Sequence, residues 1–139
     1  MAMTMHLDIV SAEKELFSGR AEVVIAPAIM GEVGIHASHT PMLTPLKPGE
    51  VKITKQGGEE EHIYVSGGMM EVQPSVVTIL SDTALRAKDL DEAAAMEAKQ
   101  EAEEAIANRE DDIDIAEAQS KLLEAVAQLR MIENFRKNR

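Results

Sequence analysis

The sequence offers one set of side chains that could be drawn as a metal site. Glu32, His36 and His39 lie close together in a turn-rich segment, and carboxylate and imidazole groups both bind metal ions. Their spacing matches no common zinc motif, and the chain has no cysteine that could supply a thiolate. We therefore expect these residues to have a structural or interface role, and no metal site is predicted.

A second set has the residue types of a hydrolase triad, namely Ser66, His39 and Asp82. Ser66 precedes Gly67 and Gly68, but the Gly-x-Ser-x-Gly elbow that exposes a nucleophilic serine is absent. Three common residue types show no triad without the matching geometry. The sequence also lacks a Gly-rich phosphate-binding loop. We predict that the chain is not an enzyme, with hydrolysis by Ser66 and His39 kept as an alternative.

Composition limits the partners of this 139-residue chain, whose formal net charge is −11. Such a charge repels the phosphates of nucleic acids, so no nucleic acid is expected to bind. It also repels anionic lipid headgroups, although a local basic end could still touch them. No apolar run approaches the roughly 20 residues that cross a bilayer, so no direct membrane insertion is expected. The first six residues lack a basic region followed by an apolar run, so no signal peptide is predicted and the default location is cytoplasmic.

The elements that must position these side chains change type near residue 88. Before Arg86 the chain alternates short apolar runs with Gly and Pro, which is typical of an antiparallel β sandwich or flattened barrel. Gly57 and Gly58 separate two alternating runs and predict a hairpin, while residues 15–19 are interpreted as a turn. The alternative for this half is an α+β domain that contains one helix not evident from these patterns. Strands are predicted at residues 5–10, 21–26, 42–46, 51–55, 61–65, 69–72 and 76–80.

After Lys88 the chain lacks Gly and Pro and is rich in Ala and Glu, which predicts an antiparallel two-helix hairpin. The fold class is therefore α+β, with domains at residues 1–86 and 87–139. Asp89 is the predicted N-cap of the first helix with Glu92 as its capping-box partner, and residues 111–114 offer the second start. The helix–helix packing is assigned to Leu90, Ala94, Ala98, Leu122, Val126 and Leu129.

Two features of the predicted hairpin suggest a mobile part. Alanine methyl groups bury little area, and two helices alone seldom form a stable unit, so the second helix should be held weakly. The chain also ends in a basic cluster that includes Arg136, Lys137 and Arg139. Positive charge at a helix C-terminus interacts favourably with the helix dipole, and it can also attract an acidic partner. Both interpretations of the basic cluster, a structural one and a partner-binding one, stay open.

Ordered motifs along the whole chain resemble one family. They are Gly31-Glu32-Val33-Gly34-Ile35, His39-Thr40-Pro41-Met42-Leu43, Leu46-Lys47-Pro48-Gly49, Ser66-Gly67-Gly68, Val72-Gln73-Pro74, Leu90-Asp91-Glu92-Ala93 and Ala127-Gln128-Leu129-Arg130. Together they resemble the epsilon subunit of the bacterial F-type proton-translocating ATP synthase. No single motif decides the resemblance, which rests on the ordered set across two differently built halves.

This resemblance implies a non-catalytic rotor subunit at the foot of the central stalk, on the cytoplasmic face of the inner membrane. The β domain would bind the gamma subunit and the ring of c subunits, with Glu32, Gly34 and His39 facing the ring. The hairpin would fold down, or extend its last helix between the alpha and beta subunits and block ATP hydrolysis. Contacts with the catalytic subunits are assigned to Ser120, Arg130, Arg136, Lys137 and Arg139.

One departure from the family pattern bears on ligands. Some members bind ATP through Leu/Ile-Asp-x-x-Arg-Ala in the folded hairpin, whereas this chain has Ala94 at the arginine position. Loss of a guanidinium contact to phosphate removes a charge-assisted hydrogen bond worth about 1.5–3 kcal/mol. We therefore expect no cofactor and weak or absent ATP binding.

The alternative to a rotor subunit is a β-sandwich adaptor whose hairpin recruits another acidic protein.

Overall fold

The computed structural model describes residues 3–108 and 112–137, with side chains for all of these except 112–114. Contacts divide the chain into two compact units, Met1–Arg86 and Ala87–Arg139. The first unit consists of strands, and the second consists of two helices that follow a single 3-10 turn. This combination confirms the predicted α+β class.

The first unit is a nine-stranded sheet whose path closes on itself. From β1 the order runs through β8, β7 and β4 to β2, which also pairs with β1, and it continues through β5, β6 and β9. The pairings are antiparallel except that of β1 with β8, which is parallel and was not predicted. The strands are β1 Met5–Ser11, β2 Glu15–Ala28, β3 Gly31–His36, β4 Met42–Leu46, β5 Gly49–Lys55, β6 Glu60–Val65, β7 Gly68–Val72, β8 Val76–Ser81 and β9 Ala84–Arg86.

Strand β2 corrects the prediction of a turn at residues 15–19. The strand begins at Glu15 and runs for 14 residues, with Gly19 paired to Leu7 of β1. Leu16 is buried, so this segment contributes to the core. Glycine is often a turn residue, but here pairing on β1 holds it in an extended strand. The length of β2 allows its first half to pair with β1 and its second half with β3 and β5.

Two further strands were missing from the prediction. β3 lies in the segment interpreted as turns and pairs only with β2, and β9 pairs with the end of β6. Both are short, and β3 begins with Gly31 and contains Gly34, which weakens the strand signal in the sequence. The β5–β6 hairpin is confirmed, with Gly57 and Gly58 at positive φ of 100° and 95°.

The buried side chains of the first unit are mostly aliphatic, since only 2% of the sequence is aromatic, and Tyr64 is the fully buried exception. Alternate residues of β1 and β8 point inward, and Met5 and Met70 fill space between branched side chains. The fully buried positions include Leu7, Ile9, Val24, Ile35, Val51, Ile53, Ile63, Val65, Val72, Val77 and Ile79. A core of this kind fixes the strands and thereby the positions of the residues on their outer faces.

The second unit contains α1, Glu92–Asn108, and α2, Asp112–Lys137. The predicted cap at Asp89 is wrong, because Asp89 ends the 3-10 turn Ala87–Asp89. Asp91 caps α1 instead, since its Oδ1 accepts the backbone N–H of Ala94 at 3.2 Å. The second helix begins within the predicted segment 111–114, although the side chains that would form its cap lie outside the described residues.

The helices meet along alanines that are offset from the predicted set. Ala95 and Ala102 of α1 are buried, as are Ala118 and Ala125 of α2, whereas Ala94 and Ala98 are exposed beside this contact. We call these four buried alanines the alanine seam. Alanine occurs on several faces of α1, so periodicity alone could not select the inner one. The other predicted packing residues, Leu90, Leu122, Val126 and Leu129, are half-buried.

Candidate interaction surfaces

The residues of the possible hydrolase triad do not come together. The Ser66 hydroxyl accepts the backbone N–H of Thr83 at 3.1 Å and lies 3.4 Å from the Ser81 hydroxyl. His39 follows β3, and its Nδ1 lies 2.7 Å from the carbonyl oxygen of Thr40. Because Ser66 and His39 each bond to local partners and not to each other, no serine is activated by a base in this set.

A different Ser, His and Asp set does meet, on the outer face of β1 and β2. The Ser18 hydroxyl donates to Asp8 Oδ1 at 2.7 Å, and His6 Nε2 lies 2.9 Å from the same oxygen. In a nucleophilic triad the imidazole lies between the other two groups, whereas here the hydroxyl bonds directly to the carboxylate. The set is a cross-strand hydrogen-bond network. The alternation of His6 and Asp8 signalled their shared face, but the register that brings Ser18 opposite Asp8 was hidden in the sequence.

The metal cluster drawn from Glu32, His36 and His39 is also not assembled. Across residues 3–108 and 112–137, no group of three or more His, Asp or Glu side chains is placed to hold a metal ion. Glu32, Gly34 and His36 are exposed at alternate positions of β3, so they share one face of the strand. His39 lies beyond the end of β3, where the backbone of Ser38 bonds to Pro74. The structure therefore joins His36, not His39, to Glu32 and Gly34.

An apolar row crosses four strands on the outer face of the sheet. Val10 of β1 pairs with Leu80 of β8, Leu80 with Met69 of β7, and Met69 with Pro45 of β4. Leu80 is 54% exposed, and Leu43, two residues before Pro45, is also exposed. We call Val10, Leu80, Met69 and Pro45 the apolar row. Contiguous exposed apolar side chains typically mark a protein interaction site. The row was missed because its four residues are far apart in sequence.

A charged ladder covers a different part of the first unit, across β5, β6 and β9. Lys55 Nζ lies 3.0 Å from Glu61 Oε2, and Arg86 Nε donates to Glu61 Oε1 at 3.3 Å. The hydrogen bond from Lys55 to Glu61 raises the pKa of the lysine above its usual value, and the negative charge of Glu61 adds to this effect. Arg86 also donates to the carbonyl of Leu16 at 2.7 Å, which anchors β9 to β2.

The basic end of α2 is engaged within the second unit. Arg136 Nη2 donates to Oε2 of Glu92, the first residue of α1, and this contact joins the start of α1 to the end of α2. We call this contact the terminal clasp. Lys137 pairs with Glu133 one turn earlier, at 3.4 Å. Arg130 and Ser120 are exposed on α2, and Arg139 lies outside the described residues.

A groove of about 650 Å³ runs along one side of the alanine seam. Ala94 and Ala98 lie on its wall, and the carboxylates of Glu101, Glu117 and Glu124 line it as well. Its one basic lining residue among the described side chains is Lys121, which pairs with Glu117 at 3.3 Å. The negative charge of this groove therefore disfavours binding of a polyanion such as a nucleoside triphosphate.

Both halves of the chain match models of one protein family. The beta-sandwich domain of the ATP synthase delta/epsilon chain matches residues 4–87, and the long alpha-helix domain of the same chain matches residues 88–133. The chain belongs to the ATP synthase epsilon-chain family. Members of this family are stalk subunits and not the catalytic ones, which confirms the prediction of a non-catalytic chain. The adaptor of another class is thereby set aside.

Bacterial relatives cover the chain from end to end. It is 65% identical to ATP synthase epsilon chain 1 of Methylococcus capsulatus over 139 residues, which are 100% of this chain and 99% of that one. It is 61% identical to the epsilon chain of Nitrosococcus oceani over 137 residues, covering 99% and 98% of the two chains. The resemblance found in the motifs is thus confirmed as family membership. ATP synthesis and hydrogen ion transport are the processes that such a complex carries out.

Solved structures share the fold at much lower identity. A chain in the mitochondrial ATP synthase of Euglena gracilis, solved as OSCP/F1/c-ring, aligns with a TM-score of 0.80 at 20% identity, covering 89% of this chain and 78% of that one. A chain in the central stalk and c-ring of the Tetrahymena thermophila enzyme aligns with a TM-score of 0.65 at 14% identity, covering 94% and 98%. No helix in the described part of this chain is both long and apolar enough to cross a bilayer.

Proposed function

We propose that this chain is a rotor subunit of the central stalk that couples proton-driven rotation to ATP synthesis and restrains ATP hydrolysis through α2. Its partners would be the gamma subunit, the ring of c subunits and, when α2 extends, the alpha and beta subunits. The complex would lie on the cytoplasmic face of the inner membrane. Family membership supports the assignment to the complex, and the construction of the hairpin supports the regulatory part.

The observation that carries the regulatory proposal is the alanine seam. Four alanines and Met131 are the buried residues of the described hairpin, whereas Leu122, Val126 and Leu129 of α2 are only half-buried. A methyl group contributes far less burial energy than the roughly 1.5–3 kcal/mol of a buried leucine. The second helix is therefore weakly attached to the first and keeps larger apolar side chains that another protein could cover. A helix of this kind can exchange partners at small cost, as a population shift requires.

The apolar row is the proposed docking surface for the gamma subunit. It lies on the outer face of the sheet, where the exposed side chains of Leu80 and Met69 line a depression of about 360 Å³. Covering these side chains with a protein surface would remove apolar area from water. The adjoining depression gives a partner side chain room to enter. Rigid strands beneath the row would transmit torque without local deformation.

The ring contact is assigned to the exposed face of β3. Glu32 and Gly34 occupy this face, and His36 extends it in the direction of His39. At about 3.3 Å per residue, Glu32 and His36 are about 13 Å apart along the strand. A contact that includes His39 as well must therefore run along β3 and cannot be centred on one point.

The inhibitory contact is assigned to the exposed polar face of α2. Arg130 and Ser120 are accessible on the folded hairpin, while Arg136 and Lys137 are occupied by Glu92 and Glu133. Extension of α2 would separate Arg136 from Glu92 and allow it to meet an acidic segment of a catalytic subunit. Arg139 stays a predicted contact outside the described residues.

Truncation in the reconstituted complex tests the regulatory role. A chain ending at Arg86 lacks the whole hairpin, and a chain ending at Asn108 lacks only α2. We expect both to assemble and to support synthesis, and both to raise ATP hydrolysis to the same extent. If hydrolysis is unchanged, α2 is not an inhibitor, although the coupling role would stand. If only the longer deletion raises hydrolysis, inhibition belongs to α1 instead.

We also propose that the free subunit binds ATP weakly or not at all. The groove beside Ala94 is lined by three glutamates, and Asp91 is already engaged as the helix cap. Calorimetry should detect no binding at low micromolar concentration, and a low-micromolar dissociation constant would contradict the proposal. In Ala94→Arg a guanidinium contact worth about 1.5–3 kcal/mol should tighten binding about 10- to 150-fold. The matched control is Ala107→Arg, at an exposed position that does not line the groove.

A further inference from the structure

The two helices of the hairpin form a small depression that combines positive charge with apolar side chains. Its volume is about 210 Å³, and it is lined by Lys99 of α1 and by Val126, Leu129, Arg130 and Glu133 of α2. We call it the cationic pocket. It shares no lining residue with the groove beside the alanine seam. Because its two cations come from different helices, they line one pocket only while the hairpin is folded.

The positive charges of the cationic pocket are poorly compensated within the chain. Arg130 is exposed and belongs to no ion pair within the described residues. Lys99 Nζ lies 3.9 Å from Glu103 Oε1, near the outer limit of an ion pair. Glu133, the acidic residue of the lining, is already paired with Lys137 at 3.4 Å. Two like charges that line one pocket repel each other, and an anion bound between them would remove this repulsion.

We propose that the cationic pocket binds inorganic phosphate and thereby holds the hairpin folded. The planar guanidinium of Arg130 can donate two parallel hydrogen bonds to a phosphate, and the Lys99 ammonium adds a second, more flexible charge. Val126 and Leu129 are half-buried beside them, and a less polar surrounding strengthens such hydrogen bonds. Sites for drug-sized ligands have volumes of roughly 300–1,000 Å³, so the smaller cationic pocket suits a single oxyanion.

Binding at this site would couple the phosphate concentration to the state of α2. Phosphate held by both helices stabilises only the folded hairpin, so by mass action it opposes extension of α2. Phosphate is consumed in ATP synthesis, so inhibition would be weakest while this substrate is plentiful. This consequence rests on the proposed inhibitory role of α2, whereas phosphate binding by the free subunit does not.

Free phosphate is favoured over a phospholipid headgroup, which carries the same chemical group. The chain has a net charge of −11, so the surface of an anionic bilayer repels it as a whole. A small soluble anion reaches the cationic pocket without bringing the rest of the chain close to such a surface. Vesicles of phosphatidylglycerol and free acetate are therefore the competing probes, for a lipid headgroup and for a protein carboxylate respectively.

Titration of the full-length free subunit with inorganic phosphate, followed by amide NMR shifts, tests the site. We expect saturable binding with a dissociation constant of about 1 mM and shifts centred on Lys99 and Arg130. Lys99→Gln and Arg130→Gln should each weaken binding about tenfold or more, because each removes a charge-assisted hydrogen bond. The matched control Lys121→Gln removes the same charge from α2 outside the cationic pocket and should weaken binding less than about twofold.

Three results of this titration would overturn the site. They are binding that does not saturate, equal weakening by Lys121→Gln and Lys99→Gln, and tighter binding of acetate or of the vesicles than of phosphate. Each would show that the chain does not select a phosphate at this place. Retained binding in Lys121→Gln with loss in the two pocket variants would support it.

Amide hydrogen exchange tests the link between phosphate and the hairpin. At phosphate tenfold above its dissociation constant, exchange of α2 through opening of the hairpin should slow about tenfold in the free subunit, and Lys99→Gln should abolish this protection. If phosphate protects α2 but deletion of α2 leaves hydrolysis unchanged in the complex, the cationic pocket stands and the inhibitory role falls. If phosphate gives no protection while the deletion raises hydrolysis, the inhibitory role stands and the phosphate proposal is refuted.

Discussion

Breaking the terminal clasp should shift α2 toward its inhibitory state. The perturbation is Glu92→Gln, which removes the negative charge that Arg136 contacts and keeps the size of the side chain. Because Glu92 is the first residue of α1, its charge also interacts with the dipole of that helix. This second interaction persists when α2 leaves, so it does not bias the equilibrium between the two states.

The magnitude follows from exposure of the pair. The Arg136 and Glu92 side chains are 62% and 40% exposed, so the clasp belongs with surface ion pairs that contribute about 0.2–1 kcal/mol. Its loss should raise the ratio of extended to folded hairpin about 1.4- to 5-fold. ATP hydrolysis by the reconstituted complex should fall accordingly, provided that the folded state is the active one.

Glu97→Gln is the matched control, since it makes the same charge change on the same helix and Glu97 belongs to no ion pair within the described residues. The difference between the two variants should shrink as ionic strength rises, because exposed charges are screened by salt. The reasoning is refuted if Glu92→Gln changes hydrolysis no more than Glu97→Gln at low salt. It is also refuted if the difference is the same at high salt.

Two further predictions concern the stability of the first unit. Gly68→Ala would place a Cβ 2.0 Å from the Leu80 carbonyl oxygen at a φ of +123°. Urea denaturation should therefore show a free energy of unfolding that is lower by at least about 2 kcal/mol. The control is Gly58→Ala, where nothing lies within 4 Å of the added Cβ, and an equal or smaller loss in Gly68→Ala than in this control would contradict the prediction. Lys55→Met should destabilise by about 0.2–1 kcal/mol at neutral pH, since Glu61 loses one of its two cationic partners and keeps only Arg86. The pKa of Lys55 is raised in the folded state, so its contribution is complete below the unfolded pKa of about 10.4 and is lost as pH rises through the folded pKa. A deficit that stays constant to pH 11 would exclude this origin.

Local patterns in the sequence determined much of the architecture. Gly and Pro are absent after Lys88, and this absence marks the boundary between the strands and the helices, since these residues interrupt a helix and terminate short strands. The pair Gly57 and Gly58 located a hairpin because a tight primed turn needs positive φ. Each of these signals acts within a few residues, so it can be read without knowing the fold.

Only the tertiary structure decided which residues meet over long separations. The apolar row joins Val10 to Pro45 through strands that pair in a specific register, and one residue of slippage would turn these side chains inward. The clasp joins residues 92 and 136, which depends on the length and phase of two helices. The local preference of glycine for turns predicts a turn at Gly19. The pairing with Leu7 that keeps Gly19 extended comes from a neighbouring strand, so the local sequence does not reveal it.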